Sequence, residues 1–351
     1  MQQKIRVMVV DDSLVFRTWL IQNLSADSRF EVVGYAVNAL DAKNKLPMLK
    51  PDIMTLDIEM PGMTGLEFLK EVLPSHPVPV ILVSSLNVRV FDALAAGAVD
   101  FVRKPEEGQR DAFLRNLMTK LTIGKNARVR LPQSVPAAAP AAAVRTVSSM
   151  PHVSHIPGGS SGIDLIAIGA STGGTEAILE VVRQFPAKMP GIVITQHMPP
   201  GFTAMYAERL NRICKLEVKE AVHGDKVRPG LVLLAPGGLQ MRVVRLGAGY
   251  SVSCTEEAKV SGHKPSVDVL FDSVAANVRN RAIGVILTGM GADGAAGMMR
   301  MRKAGAYTIG QDRDSCVVYG MPMEAFKIGA VCQQAALSNI PQVVLAQLAK
   351  G

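Results

Sequence analysis

Residues 5–13 read IRVMVVDDS. A continuous apolar run that stops at two aspartates is typical of a buried strand whose carboxyl end carries polar side chains. Four more short apolar runs follow it, and stretches with helical periodicity lie between them. Strands that alternate with helices predict a parallel sheet covered on both faces. The strands are predicted at 5–10, 31–36, 52–56, 78–83 and 99–102, and the helices at 13–24, 38–49, 64–73, 87–96 and 106–121.

A second series of strand and helix patterns begins at residue 163 and predicts another doubly wound, mostly parallel α/β domain. Its strands are predicted at 163–169, 191–196, 231–235, 281–288 and 305–310, and its helices at 175–184, 202–213, 265–279 and 294–304. Within this region, residues 240–254 alternate apolar and polar side chains around Gly247 and Gly249. Such alternation around a glycine turn predicts an antiparallel hairpin.

The segment between the two series is rich in proline, alanine and serine, and residues 132–151 read PQSVPAAAPAAAVRTVSSMP. It offers too little apolar area to offset the entropy of ordering it. The chain is therefore predicted to comprise one domain at 1–123, a flexible linker at 124–161 and a second domain at 162–351.

The composition excludes several classes of protein. The net charge is +8, but the basic residues are spread out, whereas a nucleic-acid reader concentrates them on one element. They are predicted to be ordinary solvated surface, with a docking surface for an acidic partner as the alternative. The four cysteines have no metal-ligand spacing, which indicates reduced thiols in a cytoplasmic protein. No apolar stretch reaches the roughly 18 residues that a membrane span needs.

Polar residues follow several predicted strands of the first domain. Asp11 and Asp12 end the first strand, Asp57 ends the third, Ser84 ends the fourth and Lys104 follows the fifth. The carboxyl ends of parallel strands meet at one edge of a sheet, so these side chains are expected to lie together. Three carboxylates in one place repel one another unless a cation compensates, and carboxylate oxygens suit Mg²⁺.

The segments VVDDS, LDIEMPGMTG, VSS and FVRKP resemble the receiver domain of response regulators over residues 4–121. The resemblance implies a flavodoxin-like (βα)5 fold in which Asp57 accepts a phosphoryl group from a histidine kinase. It also implies a Mg²⁺ site and a set of phosphoryl-binding and switch residues. The implied Mg²⁺ ligands are Asp11, Asp12, Asp57 and the backbone carbonyl of Glu59, and the implied switch and phosphoryl-binding residues are Ser84, Phe101 and Lys104.

The second domain opens with a strand and the glycine-rich turn Gly169-Ala170-Ser171-Thr172-Gly173. A dinucleotide loop needs an acidic residue at the end of the next strand, but that strand ends in Gln196-His197. The turn also fits the G-x-S-x-G pattern of a nucleophile elbow. A plain structural turn with a serine at its helix start is the third interpretation.

Two further residues at strand ends support the interpretation of Ser171 as a nucleophile. His197 follows the next predicted strand and Asp293 follows the strand at 281–288, so both are expected at the edge that carries Ser171. A serine, a histidine and an aspartate together are what acyl hydrolysis needs. The chain order Ser–His–Asp differs from the Ser–Asp–His order of α/β-hydrolases.

The segments IGASTGGTEAI, TQHMPPGFTAMYAERLN, KPSVDVLF, ILTGMGADG and VVYGMP are similar to those of the chemotaxis protein-glutamate methylesterase (CheB) family. The resemblance covers nearly the whole chain outside the linker. It implies a catalytic triad of Ser171, His197 and Asp293, with oxyanion contacts from the amides of Thr172 and Met290. Gln240 departs from the histidine of many family members, and we expect a peripheral difference that can alter substrate docking but leaves the triad intact.

The resemblance implies an esterase that hydrolyses glutamate methyl esters on chemoreceptors, releases methanol and also deamidates receptor glutamines. Its implied partners are methylated chemoreceptors and a chemotaxis histidine kinase, and its receiver inhibits the catalytic domain until Asp57 is phosphorylated. We expect Mg²⁺ in the receiver, no cofactor at the esterase site, no nucleic acid, no membrane insertion and a monomer. The rivals are a DNA-binding response regulator, which would need a helix-turn-helix after the linker, and a scaffold with a degenerate site.

Overall fold

The computed structural model describes residues 3–85, 89–129 and 162–350. The first two ranges form the N-terminal domain and the third forms the C-terminal domain. Most of the predicted linker, from residue 130 to 161, lies outside the described residues, as do residues 87 and 88 of the predicted fourth helix.

The N-terminal domain is a five-stranded parallel sheet in the order β2-β1-β3-β4-β5, with five helices connecting and following its strands. The central strands are buried throughout, which explains their continuous apolar runs. The predicted flavodoxin-like (βα)5 fold is confirmed. The elements are β1 (Ile5–Val10), α1 (Leu14–Ala26), β2 (Phe30–Ala36), α2 (Ala39–Leu49), β3 (Ile53–Leu56), α3 (Gly65–Val72), β4 (Val80–Ser84), α4 (Arg89–Ala95), β5 (Asp100–Arg103) and α5 (Arg110–Gly124).

Side-chain caps set the starts of three of these helices. Ser13, Asn38 and Thr64 each accept a hydrogen bond from the backbone N–H three residues later. These are the residues at which the sequence predicted helix starts, because a capping residue precedes the helix proper. The fifth helix begins at Arg110 rather than at the predicted residue 106, and no side chain caps it.

The C-terminal domain is built on a seven-stranded parallel sheet in the order β15-β14-β13-β6-β7-β10-β8. This confirms the predicted doubly wound domain. Its elements are β6 (Leu165–Ala170), α6 (Gly174–Val182), β7 (Gly191–Gln196), α7 (Phe202–Ile213), β8 (Glu217–Glu220), β9 (Lys226–Val227), β10 (Leu231–Leu234), β11 (Gln240–Leu246), β12 (Gly249–Thr255), α8 (Val267–Asn277), β13 (Ala282–Ile286), α9 (Ala295–Lys303), β14 (Tyr307–Gln311), α10 (Met321–Lys327), β15 (Gln333–Ala335) and α11 (Ile340–Leu348).

A separate antiparallel sheet contains the predicted hairpin. Strands β11 and β12 pair along their whole length, and the two-residue strand β9 pairs with β12. The sequence did not predict β8, β9, β15, α10 or α11. The edge strands β8 and β15 read EVKE and QQA, so neither carries the apolar run on which strand prediction depends.

The two domains contact each other along α4, β5 and the segment that follows α5. The rings of Phe91 and Tyr206 stack with centroids 5.4 Å apart, and those of Phe101 and Phe202 lie 4.6 Å apart. Helix α5 runs one residue beyond the predicted domain boundary at 123. Arg128 belongs to the predicted linker, and its backbone N–H donates to the carbonyl of Val317 at 3.1 Å. The linker is therefore in contact with the C-terminal domain at this residue.

Within the described ranges, no helix combines the length and the apolar character that crossing a membrane requires.

The close approach of α8 to β6 gives a test of the packing beneath the C-terminal site. A Cβ atom on Gly169 would lie 2.2 Å from Cγ1 of Val267, the first residue of α8. Gly169→Ala should therefore push the start of α8 away and lower the unfolding free energy by about 1–3 kcal/mol. Thermal unfolding measures this. The control is Gly249→Ala, where the nearest atom, the carbonyl oxygen of Leu246, lies 3.9 Å away. Equal melting of both variants would contradict the packing argument.

Candidate functional site

The three residues of the predicted triad follow three adjacent strands. Ser171 comes directly after β6, His197 directly after β7, and Asp293 lies in the loop after β13. These strands are neighbours in the order β13-β6-β7. The structure thus places all three side chains at one edge of the sheet.

The side chains are within hydrogen-bonding distance of one another. His197 Nδ1 lies 3.1 Å from Ser171 Oγ, and His197 Nε2 lies 2.7 Å from Asp293 Oδ2. A carboxylate only accepts hydrogen bonds, so we assign the imidazole proton to Nε2. Nδ1 is then free to accept the hydroxyl proton of Ser171. This is the arrangement that a histidine base and a serine nucleophile require.

The carboxylate of Asp293 is buried against the start of α8. Its side chain is 1% exposed. Oδ1 accepts from Ser266 Oγ at 2.8 Å and from the amide of Asp268 at 3.0 Å, and Oδ2 accepts from the amide of Val267 at 2.7 Å. A helix amino terminus stabilises a negative charge. Burial raises the pKa of Asp293, but the hydrogen bonds from His197, Ser266 and Val267 outweigh it and lower the pKa to about 2.

A second histidine lies against the first. The rings of His263 and His197 stack with centroids 3.6 Å apart and an angle of 8° between their planes. Burial and the neighbouring His197 lower the pKa of His263 to about 4, so its ring is neutral near pH 7. The sequence analysis missed His263 and Ser266. Both lie in or beside the segment KPSVDVLF, whose resemblance to the family was the one signal that could have found them.

The predicted oxyanion residues lie next to the nucleophile. The amide of Ser171 donates to the carbonyl of Thr288 at 3.0 Å, whereas the amides of Thr172 and Met290 donate to no acceptor in the described part of the chain. A Cβ atom on Gly289, the residue before Met290, would lie 2.8 Å from Cβ of Ser171. Glycine therefore lets this turn approach the serine closely.

Gln240 is not a peripheral residue, so our expectation for it was wrong. Its side chain is completely buried at the start of β11. It makes hydrogen bonds to the loop that carries His263 and Ser266. A residue in this position cannot contact a docked substrate directly.

The N-terminal domain gathers its acidic residues as predicted. Asp11, Asp12 and Asp57 each place one carboxylate oxygen within 4.8 Å of the other two. Lys104 Nζ lies 2.6 Å from Asp57 Oδ2 and 2.9 Å from Asp11 Oδ2. The second contact is not aligned as a hydrogen bond, and Asp11 Oδ2 is a buried oxygen without a hydrogen-bond donor in the described structure. Such a donor set fits a small divalent cation.

Burial affects the pKa values of Asp57 and Lys104, which contact each other in this cluster. It raises the pKa of Asp57, and Lys104 opposes that shift only in part. Burial also disfavours the charged form of Lys104, but the carboxylates of Asp57 and Asp11 raise its pKa above the ordinary value. Ser84 lies buried on the neighbouring strand, and within the described ranges its hydroxyl has no hydrogen-bond partner. The backbone amide of Glu59 donates to Asp57 Oδ1 at 3.2 Å.

The N-terminal domain contacts the residue that follows Ser171. Thr172 Oγ donates to Asp100 Oδ2 at 2.5 Å, and Lys120 Nζ lies 2.6 Å from Asp100 Oδ1. Asp100 precedes Phe101 on β5, and Phe101 packs on Phe202 at the start of α7. The residue beside the candidate nucleophile is thus held by the N-terminal domain. No sequence pattern indicated this contact of Asp100.

Two protein-family models match the chain, one in each domain. The family model for the CheB methylesterase matches residues 166–344, and the family model for the response regulator receiver domain matches residues 7–112. Together with the two doubly wound sheets, these matches define the chain as a methylesterase that carries a receiver domain.

Individual proteins match the chain over nearly its whole length. A protein-glutamate methylesterase/protein-glutamine glutaminase of Syntrophomonas wolfei is 49% identical, over 97% of this chain and 97% of that protein. The protein of the same description from Escherichia coli K12 is 45% identical, over 99% and 98%. The crystal structure of the Thermotoga maritima CheB methylesterase catalytic domain superposes with a TM-score of 0.51 at 34% identity, covering 52% of this chain and 98% of that one. The chain belongs to the CheB methylesterase family.

The buried carboxylate makes a direct prediction about turnover. Asp293→Asn keeps the shape of the side chain but removes the charge that orients His197 and stabilises its protonated form. We expect turnover to fall by a factor on the order of 10³ to 10⁴ while substrate binding changes little. Steady-state ester hydrolysis measures both quantities. The control is Asp272→Asn, whose side chain is 44% exposed on α8. Normal turnover with weakened binding would assign Asp293 to substrate docking instead.

Proposed function

We propose that the chain hydrolyses glutamate methyl esters on chemoreceptors through Ser171, His197 and Asp293. The observation that carries the proposal is the position of His197, with one ring nitrogen 3.1 Å from Ser171 Oγ and the other 2.7 Å from Asp293 Oδ2. The names of the relatives from Syntrophomonas wolfei and Escherichia coli give the substrate class, a protein glutamate methyl ester.

The first half of the reaction forms an acyl-enzyme. Ser171 Oγ attacks the ester carbonyl carbon while His197 Nδ1 takes the hydroxyl proton. The resulting oxyanion accepts hydrogen bonds from the amides of Thr172 and Met290. His197 then returns the proton to the methoxy oxygen, the carbon–oxygen bond breaks and methanol leaves. Asp293 holds the ring in position and stabilises the imidazolium in between.

The second half restores the free enzyme. Water attacks the acyl carbon, His197 Nδ1 takes a proton from it and passes that proton to Ser171 Oγ, and a glutamate side chain is released. A receptor glutamine forms the same acyl-enzyme with ammonia as the leaving group. We therefore propose that one triad serves both deamidation and ester hydrolysis.

In the N-terminal domain, we propose that Asp57 accepts the phosphoryl group of a histidine kinase. Asp11, Asp12, Asp57 and the backbone carbonyl of Glu59 would hold Mg²⁺, which neutralises phosphoryl oxygens when it is bound. The ammonium group of Lys104 can pair with the same oxygens, and the hydroxyl of Ser84, which has no partner among the residues that the structure describes, can donate to them. Supporting this, the three carboxylates lie within 4.8 Å of one another.

We propose that the unphosphorylated receiver inhibits the esterase. The bond from Thr172 to Asp100 puts the receiver beside the nucleophile, where it obstructs a receptor helix. Phosphorylation adds about 1.5 to 2 negative charges at Asp57 and changes the position of Ser84 and Phe101, which weakens the contact with Phe202. In the closed state the receiver covers the esterase site, and in the open state it does not. Shifting the chain from mostly closed to mostly open takes about 5.5 kcal/mol of free energy. We further propose that the protein acts in the cytoplasm as a monomer. It binds no nucleic acid and needs no cofactor at the esterase site.

Ser171→Ala tests the catalytic proposal. The variant lacks the nucleophile, so methanol release should fall by a factor on the order of 10⁶ while the fold remains intact. The assay measures methanol from membranes that carry methylated receptors. Ser338→Ala, an exposed serine of the same domain, is the matched control. Activity of Ser171→Ala within tenfold of the unmodified chain would remove Ser171 from the mechanism.

Asp57→Ala tests the regulatory proposal. The variant has no phosphoacceptor, so a small-molecule phosphodonor should leave its methanol release at the basal rate. In the unmodified chain the phosphodonor should raise that rate, and chelation of Mg²⁺ should abolish the increase without lowering the basal rate, because the proposed metal site is confined to the receiver.

Removal of the receiver separates inhibition from direct activation. The Thermotoga maritima structure contains a catalytic domain alone, which supports the use of residues 162–351 as a separate protein. Under pure inhibition this fragment should release methanol faster than the unphosphorylated full chain. A slower fragment would show that the receiver activates the site directly.

A further inference from the structure

We infer that Gln240 is a positioning residue for the esterase site, because it fixes both ends of the loop that holds His197 and Asp293. This inference rests on the proposed function, since it concerns the same triad. We call residues 258–266 the triad loop. Gln240 opens β11, lies outside the candidate triad and is 0% exposed.

The carboxamide of Gln240 makes three hydrogen bonds, and all of them reach the triad loop. Nε2 donates to the carbonyl of Ala258 at 3.1 Å and to the carbonyl of His263 at 3.1 Å. Oε1 accepts from the amide of Ser266 at 2.9 Å. The beginning, the middle and the end of the loop are therefore tied to one side chain.

Two of these tethered residues contact the triad directly. The hydroxyl of Ser266 donates to Asp293 Oδ1 at 2.8 Å, so the Gln240–Ser266 bond fixes a hydrogen-bond donor to the carboxylate. The ring of His263 lies 3.6 Å from that of His197, centroid to centroid. The two ring nitrogens of His197 contact Ser171 and Asp293, and the ring of His263 covers one face. These contacts together restrict rotation of the His197 ring.

The chemistry of a primary amide explains why this position takes glutamine. A carboxamide offers two donor hydrogens and an acceptor oxygen at once. A glutamate offers only acceptors, so its oxygens would face the carbonyls of Ala258 and His263. A methionine has about the length of a glutamine but no polar hydrogen, so it would leave both carbonyls and the Ser266 amide without these bonds. Buried polar groups left without partners are costly, and the loop would shift to reach other partners.

A shift of the triad loop should affect the chemical step more than substrate binding. Misplacement of a catalytic group by about 1 Å can cost on the order of 10²-fold in rate. Gln240 is fully buried, so its replacement changes no surface that a receptor helix could touch. The expected signature is a lower kcat at nearly constant KM.

The test compares Gln240→Glu and Gln240→Met in the full chain, activated with a phosphodonor and assayed on methylated receptor membranes. We expect kcat to fall roughly ten- to a hundredfold with KM changed less than about twofold. Independently of substrate, the downfield proton resonance of the His197 Nε2–H···Asp293 hydrogen bond should shift or broaden in both variants. Gln184→Glu, the same chemical change at an exposed residue just after α6, is the matched control and should leave all three quantities unchanged.

The result separates positioning from a merely structural role. Circular dichroism and phosphorylation of Asp57 show whether each variant is folded, and Gln240→Met, which introduces no negative charge, serves if the glutamate variant is not. Folded variants with unchanged kcat and an unchanged proton resonance would overturn the inference, as would a loss confined to melting temperature. If Ser171→Ala retains activity, the proposed function fails, yet the resonance still reports whether Gln240 positions His197.

Discussion

A buried carboxylate sets the requirements for the rest of the C-terminal site. Asp293 is removed from water, and an ionised carboxylate in that position must be compensated by hydrogen bonds or opposite charge. The start of α8 supplies the compensation through two backbone amides and the hydroxyl of Ser266. That arrangement requires α8 to pack close to β6, which is why position 169 is glycine. The remaining bond of Asp293 then orients His197.

The contact between the domains places a second constraint on the sheet edge that carries Ser171. Thr172 uses its hydroxyl for Asp100 of the receiver and leaves its amide free of partners among the described residues. One residue therefore serves the proposed oxyanion site through its backbone and the domain contact through its side chain. Of the predicted switch and phosphoryl-binding residues, Phe101 packs on the C-terminal domain, Lys104 contacts Asp57, and Ser84 lies on the strand next to the one that Asp57 follows. The receiver thus contacts the esterase through β5, the edge strand of its sheet.

Much of this architecture could be predicted because it follows from local patterns. Buried parallel strands read as apolar runs, and the rule that their carboxyl ends share one edge was enough to group Ser171 with His197 and Asp11 with Asp57. The residues that hold these side chains in place could not be predicted. Ser266, His263 and Gln240 reach the site through loops and an antiparallel strand, and their roles depend on packing between segments far apart in sequence. Short polar edge strands such as β8 were missed because they carry no periodic signal.

Covalent capture of the nucleophile tests the central claim, that the buried carboxylate of Asp293 makes Ser171 reactive through His197. The full chain is treated with a small serine-directed phosphonate, and the modified residue and its rate of modification are measured by mass spectrometry. The account predicts one adduct, on Ser171, that forms at least about a hundredfold more slowly when Asp293 is replaced by asparagine. Modification of a different residue, or an equal rate in the two proteins, would contradict it.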